Sequence, residues 1–255
     1  MTTHYRTKGF VFKKDDRAEA NKSFSVFTED YGRVEIVGRG IRKINSKLRG
    51  GIDIFCLSEI EFIQGKAQKI LTDAVFKNRF GTILKDLEKL KTANKIAEVI
   101  DDFVRGQEKD KKIWDLSNDI FKKMDSQTIA AKSNVLAYYY FLWNFLSVLG
   151  YHPELKICVM CRQKLNPHSL YFSSKDGGVI CENCAERTCP EEPQRRRINS
   201  DIVKILRLIL EKDWQTISRL RVGPEAQNLL DEVSKDYQQW VWDRSISFKN
   251  NLRIV

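Results

Sequence analysis

Cys158-Val-Met-Cys161 and Cys181-Glu-Asn-Cys184 are two CxxC pairs separated by the nineteen residues 162–180. They restrict the fold more tightly than any other feature, because four thiolates at this spacing can close a tetrahedral shell around one Zn²⁺. Each pair supplies two sulfurs from one tight turn, and the segment between them is long enough to return as a hairpin. Tyr171 and Phe172 precede the turn residues Asp176-Gly177-Gly178, and Val179 and Ile180 lead into the second pair. This pattern predicts a zinc ribbon or finger. A complete shell of Cys158, Cys161, Cys181 and Cys184 has no open position for water or substrate, so the metal is expected to be structural. Two readings compete with it. The thiols could form disulfides or stay unligated, and Cys189 or His168 lies close enough in sequence to replace one of the four.

Composition matters here mainly through charge. The formal net charge of +10 points to polyanionic partners, nucleic acid or an anionic membrane surface, without saying anything about fold. The most apolar run, Val135 to Leu149, is shorter than the roughly 20 residues a membrane span needs, and Asn144 interrupts it. A buried helix is therefore expected, and no membrane association. Met1 leads directly into mixed sequence with no signal-peptide pattern, which, with thiols spaced for metal, predicts a reducing cytoplasmic location.

The chain divides by periodicity. From Thr7 to about Phe76, short β-rich runs alternate with turn residues: Gly9 to Phe12, Lys22 to Phe27, Val34 and Ile36, Ile52 to Cys56, Ser58 to Ile63, and Lys69 to Phe76. A hairpin is expected at Asp30-Tyr31-Gly32. About five short strands in this length predict a small closed barrel of the OB type, although an SH3-like barrel would read similarly. After Arg79 the period becomes helical, with stripes at Ile83, Leu84, Leu87 and Leu90, at Ile96, Val99, Ile100 and Phe103, and at Ile113, Leu116, Ile120 and Met124. The helix through Val135–Leu149 should be central, ending at Gly150. Beyond the cysteines, Cys189 to Arg197 reads as a polar linker. Asn199-Ser200 then caps a helix carrying Ile202, Ile205, Leu206, Ile209 and Leu210 on one face, and Pro224 opens a last helix burying Leu229, Leu230, Val233, Tyr237, Trp240 and Val241. The tail from Ser247 is expected to be loosely ordered. The predicted class is α+β: an N-terminal OB-fold barrel over residues 1–79, then a mainly helical domain over 80–255 with a Cys₄ zinc module at 151–190.

Arg39, Arg42, Lys43, Lys47 and Arg49 fall within eleven residues that contain no acid and are flanked by glycines. Such a loop can neutralise several phosphates at once and is the expected nucleic-acid site, with Lys8, Lys13 and Arg33 extending it. The interleaved rings of Tyr5, Phe10, Phe12, Phe24, Phe27 and Tyr31 would either stack bases on an open barrel face or fill the core. Arg195-Arg196-Arg197 is either a second positive spot or a solvated linker. The three histidines, His4, His152 and His168, are not paired with a nucleophile at motif spacing, no P-loop or dinucleotide fingerprint occurs, and paired acids such as Asp101-Asp102 splay apart on a helix. No catalytic residue is expected, and a nuclease is disfavoured for want of a clustered acidic metal site.

Three stretches carry a family resemblance: Phe27-Thr-Glu-Asp-Tyr-Gly-Arg33, Gly40-Ile-Arg-Lys-Ile-Asn-Ser-Lys-Leu48 before Gly51-Ile-Asp-Ile-Phe55, and Leu149-Gly-Tyr-His-Pro-Glu-Leu-Lys-Ile-Cys158. With barrel, basic loop, helices and Cys₄ module in this order, the chain resembles the bacterial RecO family of recombination-mediator and DNA-repair proteins from about Thr7 through Glu186. The resemblance implies an OB domain that binds single- and double-stranded DNA, annealing of complementary strands and, with RecR, loading of RecA onto DNA coated by single-stranded-DNA-binding protein, whose acidic C-terminal tail would be a further partner. The chain departs from the family pattern at Ile41, where alanine is commoner, at Asp15 to Glu19, and after Cys189. The residues alone also admit a zinc-ribbon adaptor for acidic proteins, or an RNA-binding OB protein.

Overall fold

Strand alternation in the first 80 residues closes on itself. In the computed structural model the described residues are 3–17, 19–126, 134–187 and 195–252, apart from the side chains of 134 and 247–252. Strands β1 (His4–Arg17), β2 (Asn21–Thr28), β3 (Gly32–Gly38), β4 (Leu57–Gln64) and β5 (Lys69–Asn78) form a closed barrel in the order β1-β2-β3-β5-β4. β3 and β5 pair in parallel through Ile36–Lys69 and Val37–Ile70, while the other pairings are antiparallel, so the barrel has the OB connectivity. β1 is long because it serves both neighbours: its first half pairs with β4 and its second with β2, with the register shifting between Val11 and Lys13. Such a bulge bends a strand around a barrel corner. The hairpin expected at Asp30-Tyr31-Gly32 forms, with Gly32 at φ +57°.

The interior is filled by Val11, Phe24, Val26, Val34, Ile36, Ile60, Phe62 and Leu71, joined by Ile41, Ile52 and Cys56. The last two belong to a stretch expected to be a strand, Ile52–Cys56, and here the structure differs. The segment is a turn: Asp53 Oδ1 accepts the Ile54 N–H at 2.7 Å, and Phe55 sits at φ +51°. A carboxylate that captures the next N–H competes with strand pairing. The apolar alternation instead seats Ile52 and Cys56 in the barrel as a plug.

Helices α1 (Gly81–Lys85), α2 (Leu87–Phe103) and α3 (Lys111–Asp125) follow. Phe10, Phe55 and Phe80 meet Phe121, with the Phe10–Phe121 centroids 4.2 Å apart, and Phe27 meets Trp114. These rings form an aromatic layer that joins helices to barrel. By packing, Met1–Ile129 is one compact unit and Ala130–Val255 another, while the barrel strands end at Asn78. One stripe does not close as expected. Leu84 and Leu87 are 44% and 65% exposed, because Asp86 in extended conformation ends α1 and caps α2 through the N–H groups of Glu88 and Lys89, resetting the helical phase. Lys89 is buried instead, its ammonium donating to the Ser126 carbonyl at 3.2 Å.

In the second unit α4 (Asn134–Val148) carries the fully buried Tyr139, Phe141, Leu142, Trp143 and Phe145. Gly150 at φ +95° closes its end. α6 (Ser200–Leu210), α7 (Trp214–Ile217) and α8 (Pro224–Leu252) surround it, and Asn199 caps α6 as expected. Asn144 is satisfied in the core by donating to the Tyr140 and Ile209 carbonyls, both at 2.9 Å. A small sheet of order β7-β6-β8 joins β6 (Leu170–Ser173), β7 (Gly178–Cys181) and β8 (Arg195–Ile198), with the short α5 (Glu182–Arg187) after β7. Arg195-Arg196-Arg197 is therefore a strand and not linker, with Arg196 paired to Asp236 and Glu232 at 2.7 Å each. Cys189 and the two prolines after it lie outside the described residues. α8 runs to Leu252, so the tail expected to be loose is helical at 247–252, and 253–255 lie outside the described residues. No helix among the described residues is long and apolar enough to cross a membrane.

Candidate metal centre and nucleic-acid interface

The first CxxC pair turns tightly because Arg162 takes φ +62° and donates its N–H to the Cys158 carbonyl, while Cys158 donates to the Gln163 carbonyl. β7 brings Cys181 back beside it, and Cys184 follows on α5. The four sulfurs of Cys158, Cys161, Cys181 and Cys184 lie within 4.8 Å of one another, and this is the one such group among the described residues. His168 stands apart from it, its N–H engaged by Asn166. Tetrahedral zinc with bonds near 2.3 Å requires sulfurs about 3.8 Å apart, and Cys161 Sγ and Cys181 Sγ are 3.8 Å apart. A disulfide needs about 2.05 Å, and all four are free thiols. The donor set fits a structural cation.

Electrostatics point the same way. Burial pushes the Cys158 thiol up, but N–H donors from Cys161, Cys181 and Met160 outweigh it and hold the group near 6. Burial and then the neighbouring thiols push Cys184 up to about 12. Four sulfurs thus crowd one small volume in which Cys158 ionises easily while Cys181 and Cys184 resist. A divalent cation relieves that conflict by stabilising all four thiolates.

The basic loop between β3 and β4 is a chain of turns. Gly40 donates to Asn21 Oδ1, Arg42 to the Ala20 carbonyl, Lys43 to Gly40, Ser46 to Lys43, and Gly51 to Leu48. Ile41 and Leu48 anchor it in the barrel core. Gly51 approaches β5 so closely that an added Cβ would lie 1.7 Å from the Ala74 carbonyl oxygen. Arg39, Arg42, Lys43, Lys47 and Arg49 are exposed along it. Arg42 leans toward Asp16 at 3.6 Å, and among the described residues the other four make no ion pair. Two residues not singled out from sequence join this surface. Lys22 lines a cleft of about 440 Å³ with Arg42, Arg49 and Asp53. It stands opposite Gly38 in the β2–β3 register, a pairing that strand alternation without a fixed register does not specify. Arg79 lies 4.0 Å over the Phe76 ring and reaches toward the Gly50 carbonyl.

The flanking cations are placed differently. Arg33 is paired with Asp101 at 2.6 Å, donates to the Asp101 carbonyl at 2.8 Å and sits over Phe12, which makes it a brace between β3 and α2. Lys8 pairs with Glu29 at 3.4 Å and Lys13 with Asp101 at 3.8 Å. The rings are mostly spent inside: Phe10, Phe12, Phe24 and Phe27 are buried, and Tyr5 and Tyr31 pack on each other and on Phe62. The four phenylalanines offer no face to a base, and the two tyrosines are half-buried. The groove where OB barrels take oligonucleotides, across β2 and β3 between the β1–β2 and β4–β5 loops, is a cleft of about 820 Å³. Arg17, Arg33, Lys69 and Arg105 line it together with Glu35, Asp101 and Asp102. The acids at the end of α2 make it electrically mixed, and burial followed by the charge of Asp101 raises the Asp102 carboxyl. The β3–β4 loop is the more cationic surface.

Comparison with known proteins bears on the whole chain. The family model described as Recombination protein O N terminal matches residues 1–80, and that described as Recombination protein O C terminal matches 84–247. A protein of Dehalococcoides mccartyi strain 195 called DNA repair protein RecO is 31% identical over 89% of this chain and 86% of its own length. Relatives with the same printed name from Caldanaerobacter subterraneus subsp. tengcongensis and Syntrophomonas wolfei subsp. wolfei are 26% and 25% identical. They cover 91% and 99% of this chain, and 90% and 97% of their own lengths.

Proposed function

We infer the function from one premise: the chain belongs to the RecO family, whose two domain models together match residues 1–80 and 84–247. The reading is that of a DNA repair protein acting by binding and not by bond cleavage. It binds single- and double-stranded DNA, anneals complementary strands and, together with RecR, helps RecA load onto DNA coated by single-stranded-DNA-binding protein. One observation carries the DNA contact: five exposed cations, Arg39, Arg42, Lys43, Lys47 and Arg49, stand on a loop without an acid, held by successive turns on a closed barrel. Lys8 and Lys13 add to this surface more weakly, since each has an acidic neighbour, and Arg33 is engaged in bracing β3 against α2.

The mechanism is electrostatic. Two strands repel through their phosphates, and cations on a preformed loop offset that repulsion and release condensed counterions. If about five phosphates are neutralised, duplex affinity should fall roughly 10²- to 10³-fold between 50 and 200 mM salt. When bound, Zn²⁺ would fix the fold around Cys158, Cys161, Cys181 and Cys184 and supply no chemistry. The test is fluorescence-monitored annealing of two complementary oligonucleotides by the wild type and by a variant with all five loop cations changed to Ala. Annealing by the wild type and none by the folded variant is the expected result. Equal annealing by both would remove the loop from the reading. A preference for RNA oligomers in competition would redirect it to RNA.

A further inference from the structure

Three aliphatic residues punctuate the basic loop, and they behave differently. Ile41 is 3% exposed, Leu48 packs against the barrel core, and Ile44 between them is 91% exposed, the most exposed large apolar side chain among the described residues. A scattered surface isoleucine is ordinary in itself. This one is distinguished by where it is held. Its neighbours Arg42, Lys43 and Lys47 are exposed cations, no acid occurs between Arg39 and Arg49, and the turns closed by Lys43 N–H to Gly40 and Ser46 N–H to Lys43 fix the backbone on either side of it. The two other apolar residues between Arg39 and Arg49, Ile41 and Leu48, are packed on the barrel as anchors, and Ile44 between them faces outward.

We propose that Ile44 is a wedge that enters a base step of bound DNA and unstacks it, while the flanking cations grip the backbone. This rests on the reading of the loop as the DNA site and adds to it the element that acts on the bases. The chemistry fits. Apolar side chains on cationic DNA-binding surfaces insert between bases and partly unstack them. An aliphatic group has no hydrogen-bond donor or acceptor, so it reads no sequence, as repair at arbitrary sites requires. Phe10, Phe12, Phe24 and Phe27 are buried and closed to bases, whereas Ile44 projects from the cationic loop itself. Unstacked bases present their pairing edges to a second strand, which links the wedge to annealing.

The test uses the full chain and an oligonucleotide carrying 2-aminopurine within an adenine run, whose fluorescence rises on unstacking. Binding is followed separately by anisotropy. The wild type at saturation should raise 2-aminopurine emission about twofold or more. Ile44→Ser should lose most of that rise while its affinity changes less than about threefold, since phosphate contacts dominate affinity. Ile44→Leu should restore the rise, which separates the wedge from damage to the loop. A wild type that binds without a rise, or an Ile44→Ser variant with an undiminished rise, overturns the wedge and leaves the DNA reading standing. That second result would turn attention to Ile44 as a protein contact. A wild type that fails to bind at low salt overturns both.

Discussion

The barrel and the cysteine module are both small, but they are held together by different means. The barrel interior is a continuous cluster running from Val11 through Phe24, Val26 and Ile36 to Leu71, closed by strand pairing that leaves no free edge. The cluster around the thiols has three buried members, Cys158, Ile180 and Ala185, with Val159, Leu165 and Tyr171 only partly covered, while Phe172 of the same small sheet packs on Trp143 and Tyr237. Hydrocarbon fills the first, whereas thiols take up part of the second, which has little apolar burial immediately around them. A region whose core is built of ligands depends on what they bind, whereas a region whose core is hydrocarbon depends only on water.

Metal removal should break the comparison open most forcefully. Structural zinc supplies on the order of 10 kcal/mol to small sites of this kind. Chelation, or Cys158→Ser, should therefore abolish amide protection around 155–187 in hydrogen exchange while leaving protection in the barrel strands. Loss of barrel protection under the same treatment would mean that the two regions are not independent in this way. The same preparation also tests the metal's identity, since a Cys₄ site should return about one zinc per chain by elemental analysis.

The barrel has its own point of failure. Gly51→Ala would set a Cβ 1.7 Å from the Ala74 carbonyl oxygen, so the loop base or β5 must move, at a cost of roughly 3 kcal/mol. Gly50→Ala one residue earlier meets nothing within 4 Å and should be nearly neutral. Thermal denaturation of both, with metal content measured alongside, should show a lowered transition for Gly51→Ala alone and unchanged metal in each. A milder probe acts in the unit that carries the module. Trp143 Nε1 donates to Ser234 Oγ at 2.9 Å with both residues buried, so Ser234→Ala strands an indole N–H at a cost of about 1 to 3 kcal/mol. Zinc stoichiometry should not change. A drop would show that the helical core and the metal shell are one cooperative body.

How much of this was legible in the sequence follows the same division. The cysteine spacing specified the cluster, and Phe24, Val26, Val34 and Ile36 specified strands, because both signals are local. Ile52–Cys56 misled because an alternating apolar run does not reveal that Asp53 captures the next N–H. Leu84 and Leu87 misled because a helical stripe carries across a break that only the Asp86 cap discloses. Arg33 read as a surface cation because its partner, Asp101, lies 68 residues away in sequence. For the loop, the cations were visible as composition, but the exposure of Ile44 follows from the inward anchoring of Ile41 and Leu48, which is tertiary.

The smallest effect tests whether charge contributes to the hold of the β2–β3 turn. Thr7 Oγ1 donates to Asp30 Oδ2 at 2.8 Å, and Lys109 Nζ reaches Oδ1 at 3.1 Å, tying the β2–β3 turn to the segment before α3. The hydrogen bond from Thr7, then that from Lys109, holds the Asp30 carboxyl below its usual range. A carboxyl depressed in the folded state contributes stability that is fully present above its unfolded value, near 4, and is lost as pH falls through the folded one. Both side chains are about half exposed, so solvent screening limits the contribution to under about 1 kcal/mol. Asp30→Asn should therefore lower stability slightly at neutral pH, and the gap to the wild type should close below about pH 4. A gap that persists in acid would assign the turn's stability to shape instead of charge.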